Sequence, residues 1–231
     1  MSKLIYIAED EKNIRHLIRS FLEKDGYTVK AFETGDGLYN AFQERPCDLV
    51  VLDIMMPGNS GLIICTKLRA ISKVPIIMLT ARDTEEDYIS GISLGSDDYL
   101  TKPFSPVKLT MRVKAMLRRV EMDTETPVKA DGSISYSDIK IYPDKLMAYC
   151  NDAELVLTNT EFGLLTYLLE NQEKAVSREE LLNKIWGYDC AVETRATDAT
   201  VKRLRKKLSD MDSIVSIDTV WGHGFRVNTK G

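Results

Sequence analysis

The chain has 231 residues, 44% of them hydrophobic and 29% charged, with a formal net charge of −4. That length builds one large core or two ordinary ones, and that composition excludes a disordered chain. The mildly acidic balance gives no sign of nucleic acid as a partner, so a DNA-binding reading has to come from local charge.

The N-terminus, MSKLIYIAEDEK, carries a short apolar run that ends in acids, too short for a signal peptide or a spanning helix. Leu4–Ala8 reads as a strand, and Ile14, Leu17, Ile18, Phe21 and Leu22 follow at helical spacing until Gly26. Thr28–Phe32 is a second strand, followed by a helix through Leu38, Ala41 and Phe42 that stops before Pro46. The run from Asp48 to Asp53 is β-branched and almost wholly apolar, as in a central parallel strand buried on both faces. A helix at about 62–71, a strand at 74–80, a helix at about 85–94 and a short strand at Tyr99–Leu100 come next. The last helix of this half, about 106–119, places Leu109, Val113, Met116 and Leu117 on one face. Five strand–helix units in a row predict an α/β domain over 1–120, a doubly wound five-stranded parallel sheet.

Residues 121–133 are polar, hold Pro127 and lack periodicity, and read as a linker. An α+β domain over 134–231 follows. Short strands fill 134–157, with turns at Pro143-Asp144 and Asn151-Asp152. Helices are expected at about 159–171, 177–186 and 195–210, the first opened by a capping box of Thr158 and Glu161. Two strands around Gly222-His223-Gly224 form a closing hairpin, and this order of elements is that of a winged helix. The cysteines Cys47, Cys65, Cys150 and Cys190 are scattered with no CxxC pair. They fit reduced thiols in a cytosolic protein better than a disulfide framework or a zinc site.

Functional sites of open parallel sheets lie at the carboxyl ends of the strands. Those ends carry Glu9 and Asp10, Asp53, Thr80 and Lys102. Acids after strands also serve as loop solvation or helix caps, but three carboxylates at one edge repel each other and need a cation. Hard oxygen donors with room for water suit Mg²⁺. A lysine and a threonine hydroxyl beside them can hold a phosphoryl group, which supports phosphoryl transfer onto a carboxylate nucleophile.

The segments IAEDE at 7–11, LVVLDIMMPG at 49–58, PIIMLTAR at 75–82 and GSDDYLTKPFSP at 95–106 together resemble a response-regulator receiver domain over all of 1–120. The resemblance implies that Asp53 accepts phosphate from a sensor histidine kinase. It implies Mg²⁺ held by Glu9 (through water), Asp10, Asp53 and the Met55 carbonyl. Thr80 and Tyr99 would be the coupled switch residues, and Lys102 would pair with the phosphoryl group. In the related OmpR/PhoB subfamily, groups at the positions of Asp97, Asp98, Arg112 and Arg119 pair across a two-fold axis, which implies a homodimer on phosphorylation. This chain has Tyr88 and Lys108 where that subfamily has a further Lys–Glu pair, so that contact is lost.

Residues 121–231 hold 14 basic and 19 acidic groups, a net of −5. Within them Arg195–Lys207 holds six bases against Asp198 alone, a local net of +5. On a helical wheel Thr197, Val201, Leu204 and Leu208 face inward, while Arg195, Ala199, Lys202, Arg203 and Lys206 lie opposite. A basic run is often only a solvated face, yet a small residue among long cations also suits a major groove. TNTEFGLLTYLLEN, SREELLNKIWG, TDATVKRLRKKL and TVWGHGFRV resemble the OmpR/PhoB winged-helix effector across this domain. The resemblance makes 195–210 the recognition helix and 219–226 the wing, with Thr219 and Trp221 on its DNA side. Trp221 stands where many members have an arginine, and it either stacks on a sugar or packs against the domain. Gly222 and Gly224 permit the wing turn and Phe225 anchors it. Promoter DNA and RNA polymerase are the partners implied. His16 and His223 have no catalytic neighbour and read as surface residues.

Two rivals remain at this level. An aspartyl-phosphate hydrolase carries a general-acid aspartate two residues after its nucleophile, and here that position is Met55. A switch that binds a protein in place of DNA would leave the +5 helix without a purpose.

Overall fold

The structure is a computed structural model that describes residues 2–81, 95–125, 132–172, 174–187 and 196–229, with backbone alone at 81 and 119–125. The chain divides into two compact units, Met1–Leu117 and Arg118–Gly231. Tyr88, Cys190, Arg195 and the helix expected at about 85–94 lie outside the described residues.

In the first unit, β1 (Leu4–Ala8), β2 (Thr28–Phe32), β3 (Leu49–Asp53), β4 (Ile76–Ala81) and β5 (Asp98–Lys102) form one parallel sheet ordered β2-β1-β3-β4-β5. Every residue of β1 and β3 is buried, because helices cover both faces of a parallel sheet and leave its central strands no solvent side. Helix α1 (Lys12–Lys24) buries Ile18 and Leu22 together with Arg15. Leu17, expected on the inner face, is 45% exposed. Gly26 at φ +90 closes that helix, in the left-handed region where glycine carries no Cβ penalty. Thr34 caps α2 (Gly35–Glu44) by accepting from the Gly37 N–H, and α2 buries Leu38 and Phe42. Helix α3 (Gly61–Arg69) buries Ile64, Cys65 and Leu68. Helix α4 (Pro106–Glu125) turns Leu109, Val113, Met116 and Leu117 inward as expected. It also runs to Glu125, so 121–125, read as linker, is helical. The glutamates and Met122 there are good helix formers, and propensity extends a helix that already exists without an apolar stripe.

In the second unit, β6 (Ile134–Tyr136), β7 (Ile139–Tyr142), β8 (Met147–Cys150) and β9 (Ala153–Glu154) form an antiparallel sheet in sequence order. The turn between β8 and β9 holds Asn151 and Asp152 at φ +49 and +63, which Asn and Asp tolerate better than other side chains. Helix α5 (Asn159–Glu170) opens on the predicted capping box: Thr158 Oγ1 accepts from the Glu161 N–H, and the Glu161 carboxylate accepts from the Thr158 N–H. Ser177 caps α6 (Arg178–Leu181), which continues as a π-helical turn, Leu182–Trp186. Helix α7 (Ala196–Asp210) follows, and β10 (Val215–Val220) and β11 (Gly224–Thr229) close the domain as an antiparallel hairpin. Phe225, 1% exposed, roots that hairpin through paired backbone bonds with Val176 at 2.8 and 2.9 Å. Sheet, three helices and wing make a winged helix.

Among the described residues no helix is long and apolar enough to cross a membrane.

Candidate functional site

The parallel topology delivers the strand-end residues to one edge. Glu9 follows β1, and its N–H still pairs with the Phe32 carbonyl of β2 at 3.1 Å. Asp53 ends β3 and Lys102 ends β5. Glu9 is 0% and Asp53 1% exposed, while Asp10 faces solvent. One carboxylate oxygen from each acid lies within 4.8 Å of the others. The Lys102 ammonium sits between two of them, 2.7 Å from Asp53 Oδ2 and 2.8 Å from Glu9 Oε2. Two near-dry carboxylates and an open third, all hard oxygen donors, fit a small divalent cation such as Mg²⁺ that keeps part of its water.

The electrostatics follow from burial. Desolvation pushes the Glu9 carboxyl up to about 7, with the Asp53 charge adding to it and the Lys102 hydrogen bond opposing. Burial alone would pull the Lys102 ammonium down, but its bonds to Asp53 and Glu9 outweigh this and hold it raised, so it stays charged.

The surroundings tighten the pocket. The Met55 N–H donates to Asp53 Oδ1 at 3.3 Å, and the Met55 side chain is 64% exposed. Thr80 on β4 is 4% exposed, in register with Thr101. A Cβ on Gly61 would lie 2.0 Å from the Asp53 carbonyl oxygen, so only glycine lets α3 start against the backbone of the nucleophile candidate. The Lys102–Pro103 peptide is cis.

Three of the four dimer candidates, Asp97, Asp98 and Arg112, are buried. Asp97 is 4% exposed and accepts from Arg69 Nη2 and from the Ile76 N–H at 2.9 Å. Asp98 is 0% exposed and takes Arg112 Nη1 at 2.6 Å, and Arg112 also donates to the Tyr99 carbonyl at 2.8 Å. These pairs lie inside one domain, and they supply the partners that buried carboxylates need. The exposure expected of Asp97, Asp98 and Arg112 is corrected: all three are buried and paired within the domain. The Arg119 side chain lies outside the described residues. Tyr99 is buried, at 5% exposure.

Sequence reading missed Arg15. It is 7% exposed on α1, and Nη1 donates to the carbonyls of Glu9 and Asp10 at 2.6 and 2.9 Å. A cation three residues before Ile18 and seven before Leu22, on the buried stripe, was the available signal.

In the second unit, α7 buries Thr197, Val201, Leu204 and Leu208 as the wheel predicted. It also buries Ala199 and Arg203, at 5% and 6% exposure, which corrects their assignment to the DNA face. Arg203 turns inward because its Nε meets Glu161 Oε1 at 2.9 Å, and burial holds the pair against Thr200 Oγ1 at 3.1 Å. Burial pushes the Glu161 carboxyl up, but Arg203 and Lys207 outweigh it and hold it below the ordinary range. The solvent face of α7 carries Asp198, Lys202, Arg205, Lys206 and Ser209. Among the described residues Lys202 and Lys206 make no hydrogen bond or ion pair. Asp198 is taken by Arg178 of α6 at 2.8 Å, whose guanidinium stands 4.6 Å from the Phe225 ring centroid. Arg205 reaches the wing strand, donating to the Ile217 carbonyl at 2.6 Å and to Thr219 Oγ1 at 2.9 Å. Trp221 at the wing tip is 91% exposed, so of its two predicted roles packing against the domain is excluded among the described residues. His16 and His223 are exposed, as expected.

Comparison with known proteins agrees with this division. Residues 5–114 match the response regulator receiver domain, and residues 152–227 match the family described as transcriptional regulatory protein, C terminal. The chain is 40% identical to the regulatory protein VanR of Enterococcus faecium, across 98% of this chain and 99% of that protein. DrrB of Thermotoga maritima, an OmpR/PhoB homolog, is 32% identical with a TM-score of 0.52, covering the whole of both chains. A mutant of RitR, 24% identical and covering 99% of this chain and 100% of its own, has a TM-score of 0.75, a likeness of fold.

Proposed function

Because the chain belongs to the two-component response regulators of OmpR/PhoB type, which join a receiver to a winged-helix DNA-binding domain, we propose that phosphorylation of Asp53 controls its binding to promoter DNA. It is a transcription regulator and not a member of a catalytic enzyme family, with a sensor kinase and DNA as partners.

The observation that carries the proposal is Lys102 held at 2.7 Å from Asp53, in a pocket that Glu9 and Asp10 make strongly acidic. An Asp53 oxygen attacks the phosphorus of a kinase phosphohistidine, the phosphorus–nitrogen bond breaks, and the imidazole nitrogen takes up a proton. Glu9, Asp10, Asp53 and the Met55 carbonyl would hold Mg²⁺, which supplies positive charge to the phosphoryl oxygens. Lys102 swings its charge onto the new phosphate, Thr80 donates its hydroxyl, and Tyr99 repacks beneath. Phosphorylation adds about −1.5 to −2 charge at one strand end, enough to bias such a repacking. Slow hydrolysis by water returns the carboxylate and inorganic phosphate, and Met55, with no acid to offer, keeps that step slow.

Phosphorylated receivers pair as homodimers through the outer face of α4, where Val107 and Met111 are each 55% exposed. Lys202, Lys206, Thr219 and Trp221 meet the DNA, RNA polymerase reads the bound regulator, and the protein works in the cytoplasm.

Acetyl phosphate with Mg²⁺ should add one phosphoryl group to the intact chain by mass. Asp53→Asn should abolish that gain, and a phosphoryl group still added to that variant would mean another nucleophile. Retardation of promoter DNA should weaken as salt rises. No shift at any salt would point to a protein partner instead.

A further inference from the structure

The strand β1 ends at Ala8, so the carbonyls of Glu9 and Asp10 lie beyond the last regular pairing of the sheet. Glu9 is fully buried, and buried backbone oxygens need donors. A single guanidinium nitrogen, Arg15 Nη1, supplies both bonds at 2.6 and 2.9 Å. The other, Nη2, donates to Glu33 Oε1 at 2.6 Å. Glu33 follows β2 and its side chain is 77% exposed. The fork of one buried arginine thus ties the end of β1 to the end of β2.

The need for such a tie comes from Asp10. Its carboxylate is exposed and makes no hydrogen bond among the described residues. Two neighbouring carboxylates repel it toward water, so only its backbone keeps it within 4.8 Å of Glu9 and Asp53. Arg15 holds the carbonyls of the two peptides that flank Asp10.

We propose that Arg15 is a positioning residue of the acid pocket, fixing the two peptides that flank Asp10 so that the Asp10 carboxylate stays in reach of a divalent cation. The inference rests on reading Glu9, Asp10 and Asp53 as cation ligands. It assigns Arg15 no contact with the cation or the phosphoryl group. Outer partners that orient a ligand typically change metal affinity by about 10- to 100-fold when lost, and an effect of that size is expected here.

The test is calorimetric titration of the full chain with Mg²⁺ alone, at a low temperature where circular dichroism shows each variant folded. Arg15→Ala and Arg15→Met should both weaken binding about 10- to 100-fold, since Met keeps the stem and loses the donors. Arg15→Lys, which keeps the charge but reaches one carbonyl, should fall between them and the unmodified chain. Labelling of Asp53 by acetyl phosphate should recover once Mg²⁺ is raised above the weakened constant. In an Asp10→Asn background, Arg15→Ala should add little further loss, because both changes remove the same ligand. Unchanged Mg²⁺ affinity in folded Arg15→Lys and Arg15→Met, or full additivity with Asp10→Asn, overturns the proposal and leaves the pocket standing. Failure of the unmodified chain to bind Mg²⁺ overturns the pocket and the proposal together.

Discussion

Arg203 is locked to Glu161 in the interior of the winged helix, Nε to Oε1 at 2.9 Å, with the residues 6% and 0% exposed. Removing one partner of a buried ion pair strands the other and costs about 3–5 kcal/mol. Lys207 remains 2.6 Å from Glu161 Oε2 and keeps the loss near the lower end. Arg203→Ala should therefore lower the denaturation midpoint of this domain. Lys202→Ala and Lys206→Ala should leave stability within about 0.5 kcal/mol, while each weakens DNA binding and reduces the salt slope by about one. Mobility shifts over a salt series, set beside urea melts, check both halves. An Arg203→Ala protein of full stability with weak DNA binding would return that side chain to the DNA face.

The same carboxylate sets an acid limit. Its folded value lies below its unfolded one, through Arg203 and Lys207 against the opposing pull of burial. Such a group contributes stability above its unfolded value, and that contribution fades as pH falls through the folded value. Melting of the winged helix should be flat from neutral pH to about 5 and drop below that. Glu161→Gln should be less stable at neutral pH and lose much of the acid drop, as scanning calorimetry across the range would show. Equal acid sensitivity in the variant would place the responsible carboxyl elsewhere.

Two glycines of the wing should respond unequally. Gly224, at φ +130, would bring a Cβ to 2.0 Å from the Val176 carbonyl oxygen, while Gly222, at φ +74, has nothing within 4 Å. Gly222→Ala meets the left-handed penalty alone, about 1–2 kcal/mol. Gly224→Ala adds a backbone clash at the bridge that roots Phe225, and should cost more than twice that. Denaturant midpoints of the two variants decide it, and equal costs would mean the Val176 strand gives way freely.

The acid pocket was legible because it depends on the sheet. Once period and composition assign parallel strands, the ends of β1, β3 and β5 are placed, and Glu9, Asp53 and Lys102 come with them. The inward and outward faces of α7 were only half legible. A helical wheel sorts Arg203 outward by its charge, and nothing local reveals a partner 42 positions away. The burial of Asp97 and Asp98 was hidden for the same reason, since their cations come from α3 and α4, 28 and 14 positions distant. Arg15 was hidden differently, because its acceptors are backbone oxygens that no side-chain pattern records. The end of α4 at Glu125 escaped because no apolar periodicity marks it.

The chain's only two tryptophans stand at opposite extremes, Trp186 at 2% and Trp221 at 91% exposure. Their light should differ accordingly: blue-shifted emission shielded from iodide for Trp186, red-shifted and readily quenched emission for Trp221. Occupation of the wing by DNA should protect Trp221 from the quencher and leave Trp186 unmoved, while melting of the domain should expose both. On the proposed docking of the wing, the protein carries, without any added dye, one fluorophore for docking and another for unfolding.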